Sequence, residues 1–181
     1  MKSINYCVFE TALGDCGIAW REPVGAAAHA VVCYFQLPET NAAISETKMA
    51  EYCGGRLPSQ APPEIMAVIA QAGKYFAGEP QDFRDIWLDL SDCGDFARQV
   101  YDATRGIPSG QTRTYGEIAK LIGQPLAARA VGQALGRNPI ALLIPCHRVL
   151  AASGKPGGFS AQGGLALKAR MLAIEGVELS L

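Results

Sequence analysis

The residues in this 181-residue chain best suited to covalent chemistry sit in one short run, Ile140-Ala-Leu-Leu-Ile-Pro-Cys146-His147-Arg148-Val149. Only the thiolate form of a cysteine is a good nucleophile, and apolar surroundings keep a thiol protonated, so a base has to be at hand. His147 is adjacent and is one of only two histidines in the chain. Neighbouring side chains on an extended chain point to opposite faces. Cys146 and His147 can therefore cooperate only if the backbone turns there or a water bridges them. The competing reading is a buried cysteine acting as a small hydrophobe, its most frequent role.

A third group is needed to orient such a histidine. Glu175 lies near the C-terminal end of an apolar helical stretch, the negative end of the helix dipole, where a carboxylate is disfavoured by about 0.3–1 kcal/mol. It wants a partner. That partner is either Lys168, on a frayed surface end, or His147, with Glu175 then holding the imidazole.

The elements that must position these groups follow from punctuation and periodicity. The run Ile140–Ile144 is short and apolar and reads as a buried strand or extended segment, ended by Pro145, which lacks a ladder N–H. Upstream, Thr114-Tyr-Gly-Glu117 is a capping box that opens a helix. Gly123 closes that helix, and Pro125 stands in the first turn of the next. The second helix, Leu126 to Leu135, is thin, with Ala127, Ala128, Ala130, Gly132 and Ala134 along it. Arg129 is its one charged side chain. A slim helix lets its backbone approach a partner closely; the alternative is tight packing in a core with Arg129 at the rim. Two helices joined by Ile-Gly-Gln-Pro form a helix-turn-helix arrangement, a common motif on its own. The glycine-rich stretch Ala151–Gly164 can approach a ligand or serve as a connector. The last helix runs from about Gly164 to Glu175, with Gly176 after it.

Before Phe96 the texture differs. Tyr6–Thr11 and Cys16–Trp20, joined by a turn at Leu13-Gly-Asp15, predict a β-hairpin. Ala28–Phe35 predicts a further strand, Thr40–Tyr52 a weak helix, Pro62–Phe76 a strong helix, and Asp85–Leu90 a short alternating strand. Ser91–Asp95 is polar and turn-like and marks a boundary, dividing the chain into a domain over 1–92 and another over 93–181.

Composition narrows the function classes. Charged residues make up 18% and hydrophobic residues 49%, as in a globular chain with a real core. No stretch has the length of a membrane span, and the N-terminus lacks the long apolar core of a secretion signal. The six cysteines are scattered without a C-x-x-C pair, so free thiols in the cytoplasm are expected. The net charge of −1 hides an asymmetry: residues 1–95 carry 6 basic and 13 acidic side chains, whereas 96–149 carry 7 basic and 2 acidic. The second segment suits a polyanion; the bland reading is chance clustering of solvated charge.

Pro145-Cys146-His147-Arg148-Val149, preceded by Arg137-Asn138-Pro139 and Ala128-Arg129-Ala130-Val131-Gly132, resembles the O6-alkylguanine-DNA alkyltransferases, also named methylated-DNA–protein-cysteine methyltransferases. Gln111-Thr-Arg-Thr-Tyr115-Gly-Glu and Leu172-Ala-Ile-Glu175-Gly fit the same pattern. The match runs from about Phe96 to Gly176; residues 1–95 match in outline only. The resemblance implies an α/β (α+β) fold, with an N-terminal ribonuclease H-like antiparallel sheet with helices in a supporting role, and a mostly helical, winged helix-turn-helix-like C-terminal domain. It implies stoichiometric transfer of an alkyl group from guanine O6 in double-stranded DNA, and an open question over O4-alkylthymine, to Cys146. His147 would take the thiol proton through a water, Glu175 would hold His147, Asn138 would brace the site, and Tyr115 would donate to guanine N3. Val149, Ser160, Phe159 and Gly158 would form the base pocket. Arg129 would fill the gap left by a flipped nucleotide, with Ala128, Ala130, Gly132, Thr114 and Arg137 also on the DNA. The helix would enter the minor groove. Family members with zinc bind it through N-terminal Cys and His, whereas this chain has only His29 there and a different Cys spacing, so no metal and no cofactor are expected. A monomer is expected. Three rival readings remain open at this level: a DNA-binding module without chemistry, a Cys-His hydrolase, and a dimeric helix-turn-helix regulator.

Overall fold

Residues 4–22, 29–161 and 163–179 are described by the structure, a computed structural model. The expectations touching the N-terminal three residues, Ala28 and Gln162 lie outside them. The chain divides into two units, Met1–Leu90 and Ser91–Leu181.

In the first unit the hairpin forms as its alternation predicts. Strand β1 (Ile4–Thr11) pairs antiparallel with β2 (Gly14–Arg21), in a register that sets Thr11 against Gly14 and Ile4 against Arg21. Gly14 is required at the turn: its φ is +125°, and a Cβ there would stand 2.3 Å from the Glu39 carbonyl oxygen. Strand β3 (Val31–Glu39) adds antiparallel to β2, giving the order β1-β2-β3. Helix α1 (Ala42–Tyr52), capped by the Asn41 side chain, covers the sheet, and Met49 and Cys53 pack into a cluster with Tyr6, Ala19 and Cys33. Helix α2 (Pro63–Phe76) begins with proline at its first position and buries Ile65, Val68, Ala72, Tyr75 and Phe76.

The expected strand Asp85–Leu90 is corrected to a single bridge, Leu88 beside Val32. The Val32 N–H donates to the Trp87 carbonyl at 3.0 Å and the Asp89 N–H to the Val32 carbonyl at 2.8 Å. One residue of β3 is held on both sides, and the alternation of Asp85–Leu90 finds no longer partner among the described residues.

In the second unit, helix α3 (Asp95–Arg105) buries Val100, Tyr101 and Thr104. The short strand β4 (Arg113–Thr114) leads into helix α4 (Tyr115–Leu121) through the capping box: the Glu117 N–H donates to Thr114 Oγ1 at 3.2 Å, and the Thr114 N–H to Glu117 Oε2 at 2.6 Å. Gly123, at φ +74°, follows the helix end. Helix α5 (Ala128–Gly136) packs on α3 and α4, with the Tyr101 hydroxyl donating to the Ala134 carbonyl at 2.9 Å. It starts two residues later than expected; Leu126 and Pro125 belong to the turn, not to the first helical turn.

Ile140, Leu142, Leu143 and Ile144 are buried, but the run is not a strand. It folds back on itself, with the Ile144 N–H on the Ile140 carbonyl at 2.9 Å, an Ala141–Ile144 bridge, and Leu142 in the left-handed region at φ +72°. Asn138 holds this knuckle from inside: its Nδ2 donates to the Ile144 carbonyl at 2.9 Å and its Oδ1 accepts from the Ile140 N–H at 3.0 Å. A side chain satisfies the backbone groups a ladder would have used. Cys146–Arg148 then form one 3-10 turn, and strand β5 (Val149–Leu150) pairs in parallel with β4. Helix α6 (Gly164–Ile174) buries Leu167, Lys168, Met171 and Leu172. Among the described residues no helix is long and apolar enough to cross a membrane.

Candidate active site

The 3-10 turn resolves the facing problem of Cys146 and His147, because the backbone does turn between them. His147 is wholly buried beneath it. Its Nε2 lies 2.7 Å from Glu175 Oε1. Against an ionised carboxylate the ring nitrogen is the donor, which leaves Nδ1 as the acceptor of the neutral ring. Glu175 is the C-cap of α6, and the pairing answers the cost of a carboxylate at that end. Two further donors come from Arg148: Nε on Oε2 at 2.8 Å and Nη2 on Oε1 at 3.0 Å. Arg148 Nη1 donates to the Ile107 carbonyl at 2.6 Å.

The electrostatics follow from this. Burial would push the Glu175 carboxyl up, but the hydrogen bonds and charges of His147 and Arg148 overcome it and hold it at about 2. Burial keeps His147 below its ordinary range, against the pull of Glu175 and with the help of the Arg148 and Lys168 charges. The imidazole is thus neutral at rest and able to take a proton. Burial pushes the Cys146 thiol up, while a hydrogen bond with Asn138, the Lys168 charge and backbone hydrogen bonds pull it down. Tyr115 is raised by burial and then by Cys146, so its hydroxyl keeps its proton as a donor.

Cys146 opens onto a cavity of ≈ 570 Å³. Tyr115 contributes to its lining from α4, and Ala128, Arg129, Gly132, Gln133, Leu135 and Gly136 from α5; Gly158, Phe159 and Ser160 form the wall from the glycine-rich loop. The loop comes very close to Tyr115. Gly157 is at φ +66°, and a Cβ there would lie 2.8 Å from the Tyr115 hydroxyl oxygen. Gly132 also faces the Tyr115 ring, with a virtual Cβ at 3.7 Å. Arg129 is exposed at the rim. Chemically, this is a nucleophile on the floor of an open pocket, backed by a neutral imidazole and an anchored carboxylate.

A family model described as 6-O-methylguanine DNA methyltransferase, DNA binding domain, matches residues 95–177. The methylated-DNA–protein-cysteine methyltransferase of Mycolicibacterium paratuberculosis is 53% identical over 114 residues, which cover 63% of this chain and 67% of that protein. The crystal structure of Mycobacterium tuberculosis O6-methylguanine methyltransferase aligns with a TM-score of 0.70 at 37% identity, covering 95% of this chain and 92% of the other. A crystal structure of Mycobacterium tuberculosis OGT in complex with DNA aligns with a TM-score of 0.71 at 37% identity, over 94% of this chain and 92% of the other. The chain belongs to the methylated-DNA–protein-cysteine methyltransferase family.

Within this methyltransferase-family chain, the pocket brings together eight of the residues expected from the sequence: Cys146, Tyr115, Ala128, Arg129, Gly132, Gly158, Phe159 and Ser160. His147 and Glu175 lie behind the cysteine as a hydrogen-bonded pair. The other five stand off the lining. Val149 is fully buried in β5, and its carbonyl accepts from Lys168. Asn138 braces the knuckle, Thr114 caps α4, and Arg137 is exposed at the end of α5. Ala130 is half-buried on a different side of α5 from the lining. Sequence reasoning missed Arg148 as the second partner of Glu175. Its signal was available, since a buried carboxylate beside a neutral base needs a permanent cation. It also missed Gly157, whose requirement appears only once Tyr115 is placed. Lys168 does not pair with Glu175, as one reading had it, but donates to the carbonyls of Val149 and Pro156. Among the described residues no cluster of three or more His, Cys, Asp or Glu side chains could hold a metal ion.

Proposed function

We propose that this chain repairs DNA by moving an alkyl group from O6 of guanine to Sγ of Cys146, one transfer per molecule. The observation that carries this reading is the placing of Cys146 on the floor of a cavity whose far wall is the slim, Arg129-bearing helix α5. The S–C bond forms as the C–O6 bond breaks. The thiol proton goes to His147 Nδ1 through a water, and Glu175 steadies the charge that develops. The leaving guanine takes a proton at N3 from the Tyr115 hydroxyl and departs as a neutral base, and the proton that His147 took from the thiol passes through water to restore the tyrosine, so one proton in all moves from sulfur to guanine. Such a base must leave the duplex to reach the pocket, at a cost of a few kcal/mol that is smaller for a damaged pair. Arg129 takes its place in the stack. Gly158, Phe159 and Ser160 close over the base, and Asn138 keeps the knuckle and the thiol in place. The product is a thioether, which water does not cleave, so the protein acts once. Residues 93–181 carry the chemistry and 1–92 support it. The cytoplasm is its compartment, where its free cysteines stay reduced.

The test is mass spectrometry after mixing the protein with duplex DNA holding one O6-methylguanine. The expected result is one added methyl per protein, on the peptide containing Cys146, and an intact guanine in the DNA. Repeated turnover, or a methyl on another cysteine, overturns the reading.

A further inference from the structure

Helix α6 carries a lysine on its buried face. Lys168 is wholly buried among Leu167, Met171 and Leu172. A buried ammonium is costly unless it is both hydrogen-bonded and countercharged. Hydrogen bonding is well provided: Nζ donates to the Val149 carbonyl at 2.7 Å and to the Pro156 carbonyl at 2.5 Å, and lies 5.9 Å from the centre of the Phe159 ring. Charge is not. Both acceptors are neutral, and among the described residues no carboxylate pairs with it. The nearby carboxylate, Glu175, is taken by His147 and Arg148.

The group beside it that becomes an anion on ionising is Cys146, which opens the turn that ends at Val149, whose carbonyl Lys168 holds. Lys168 pulls the Cys146 thiol toward ionisation, and Cys146 in turn favours the charged lysine, although burial outweighs this and holds it down at about 8. His147 is the other titratable group in its field, and there Lys168 opposes a second positive charge. The two carbonyls it holds also have meaning for the pocket. Val149 follows the Cys146–Arg148 turn directly, and Pro156 precedes Gly157–Ser160, the wall that faces Tyr115.

We propose that Lys168 is a positioning residue for the transfer, pinning the pocket-wall loop to the turn that bears Cys146 and serving as the buried counter-charge of the Cys146 thiolate. The alkyl-transfer part rests on the function proposed above; the thiolate part does not.

The test compares the protein with Lys168→Met and Lys168→Arg. Iodoacetamide labelling of Cys146, followed across pH on its own peptide, reads thiol ionisation without DNA. In Lys168→Met the profile should move to higher pH, with labelling at neutral pH slower by about tenfold for each unit the thiol rises. Lys168→Arg should restore much of the profile, because the charge returns, while its bulkier head disturbs the loop and raises the concentration of O6-benzylguanine that half-saturates the single-turnover rate. A folded Lys168→Met protein with an unchanged labelling profile overturns the proposal, whatever the outcome with alkylated DNA. Should Lys168→Met fail to fold, the ammonium of Lys168 is titrated by NMR in the native chain and in Cys146→Ser. Its midpoint should fall when the thiol is removed, and an unmoved midpoint overturns the proposal.

Discussion

Arg148 grips Glu175 with two prongs, Nε on Oε2 at 2.8 Å and Nη2 on Oε1 at 3.0 Å, while His147 shares that same Oε1 at 2.7 Å. The carboxylate therefore serves the two residues that follow Cys146 at once. Arg148 keeps it ionised and fixed in direction. Its own charge also disfavours a charged imidazole at rest. His147 is thus oriented by Glu175 without being protonated by it.

Removing Arg148 should cost more than a surface ion pair would. Arg148→Met takes the permanent cation from a buried carboxylate that keeps the His147 ring and the Gly110 N–H, and breaking a buried pair from one side costs about 3–5 kcal/mol. Urea unfolding is expected to show a loss near the lower figure. Arg148→Lys should recover only part of it, since an ammonium cannot make the two-pronged contact. A loss within error of zero would mean that the pair contributes nothing to folding.

Acid should weaken the protein through Glu175. Its folded carboxyl titrates at about 2, below the ordinary value of 4.5. A carboxyl held down by folding contributes stability that is complete above its unfolded value and is lost as pH falls through the folded one. The contribution should be intact above about pH 5 and decline from there toward about pH 2. Thermal unfolding of the native chain and of Glu175→Gln should converge as pH drops through that window.

The same substitution addresses the chemistry. Glu175→Gln removes the charge that stabilises an imidazolium, so transfer from O6-benzylguanine should slow by about 10²–10⁴-fold, the usual contribution of a positioned acid–base group. Its pH profile should also shift. Equal rates at every pH would leave Glu175 with a role in folding alone.

Gly157 and Tyr115 should be coupled. Gly157→Ala puts a methyl 2.8 Å from the Tyr115 hydroxyl oxygen at a φ of +66°. The left-handed conformation alone costs an alanine about 1–2 kcal/mol, and the contact adds to that. In a Tyr115→Phe background the contact relaxes while the backbone cost stays. A double-mutant cycle on unfolding free energy should give a coupling of about 1 kcal/mol. Strict additivity would mean that the loop moves away freely.

Arg129 separates extrusion from charge attraction. If it fills a vacated stack, Arg129→Ala should impair reaction with duplex DNA far more than with free O6-benzylguanine, and least where the lesion faces a mismatch. Arg129→Lys should not rescue, because a flat guanidinium is what fits. A uniform loss of binding, with the salt slope lowered by about one, would assign Arg129 to a phosphate instead.

Local physics made much of this legible from the residues alone. The capping box at Thr114 and Glu117, the glycine after α4, the hairpin of Tyr6–Trp20 and the proline-led α2 each depend on interactions a few residues apart, so spacing suffices to read them. The Cys146-His147 pair and the misplaced acid at Glu175 announced chemistry through their types. What spacing could not reach were choices made by distant partners. The apolar run Ile140–Ile144 folds into a knuckle because Asn138 satisfies its backbone from within. Asp85–Leu90 stops at one bridge because β3 offers it one residue. Glu175 chooses His147 and Arg148 over Lys168, which lies closer in sequence, because the helix end meets the Cys146–Arg148 turn in space. Lys168 is buried among carbonyls for the same reason. Charge pairs and glycine cradles depend on distances across the fold, and those exist only once the chain has packed.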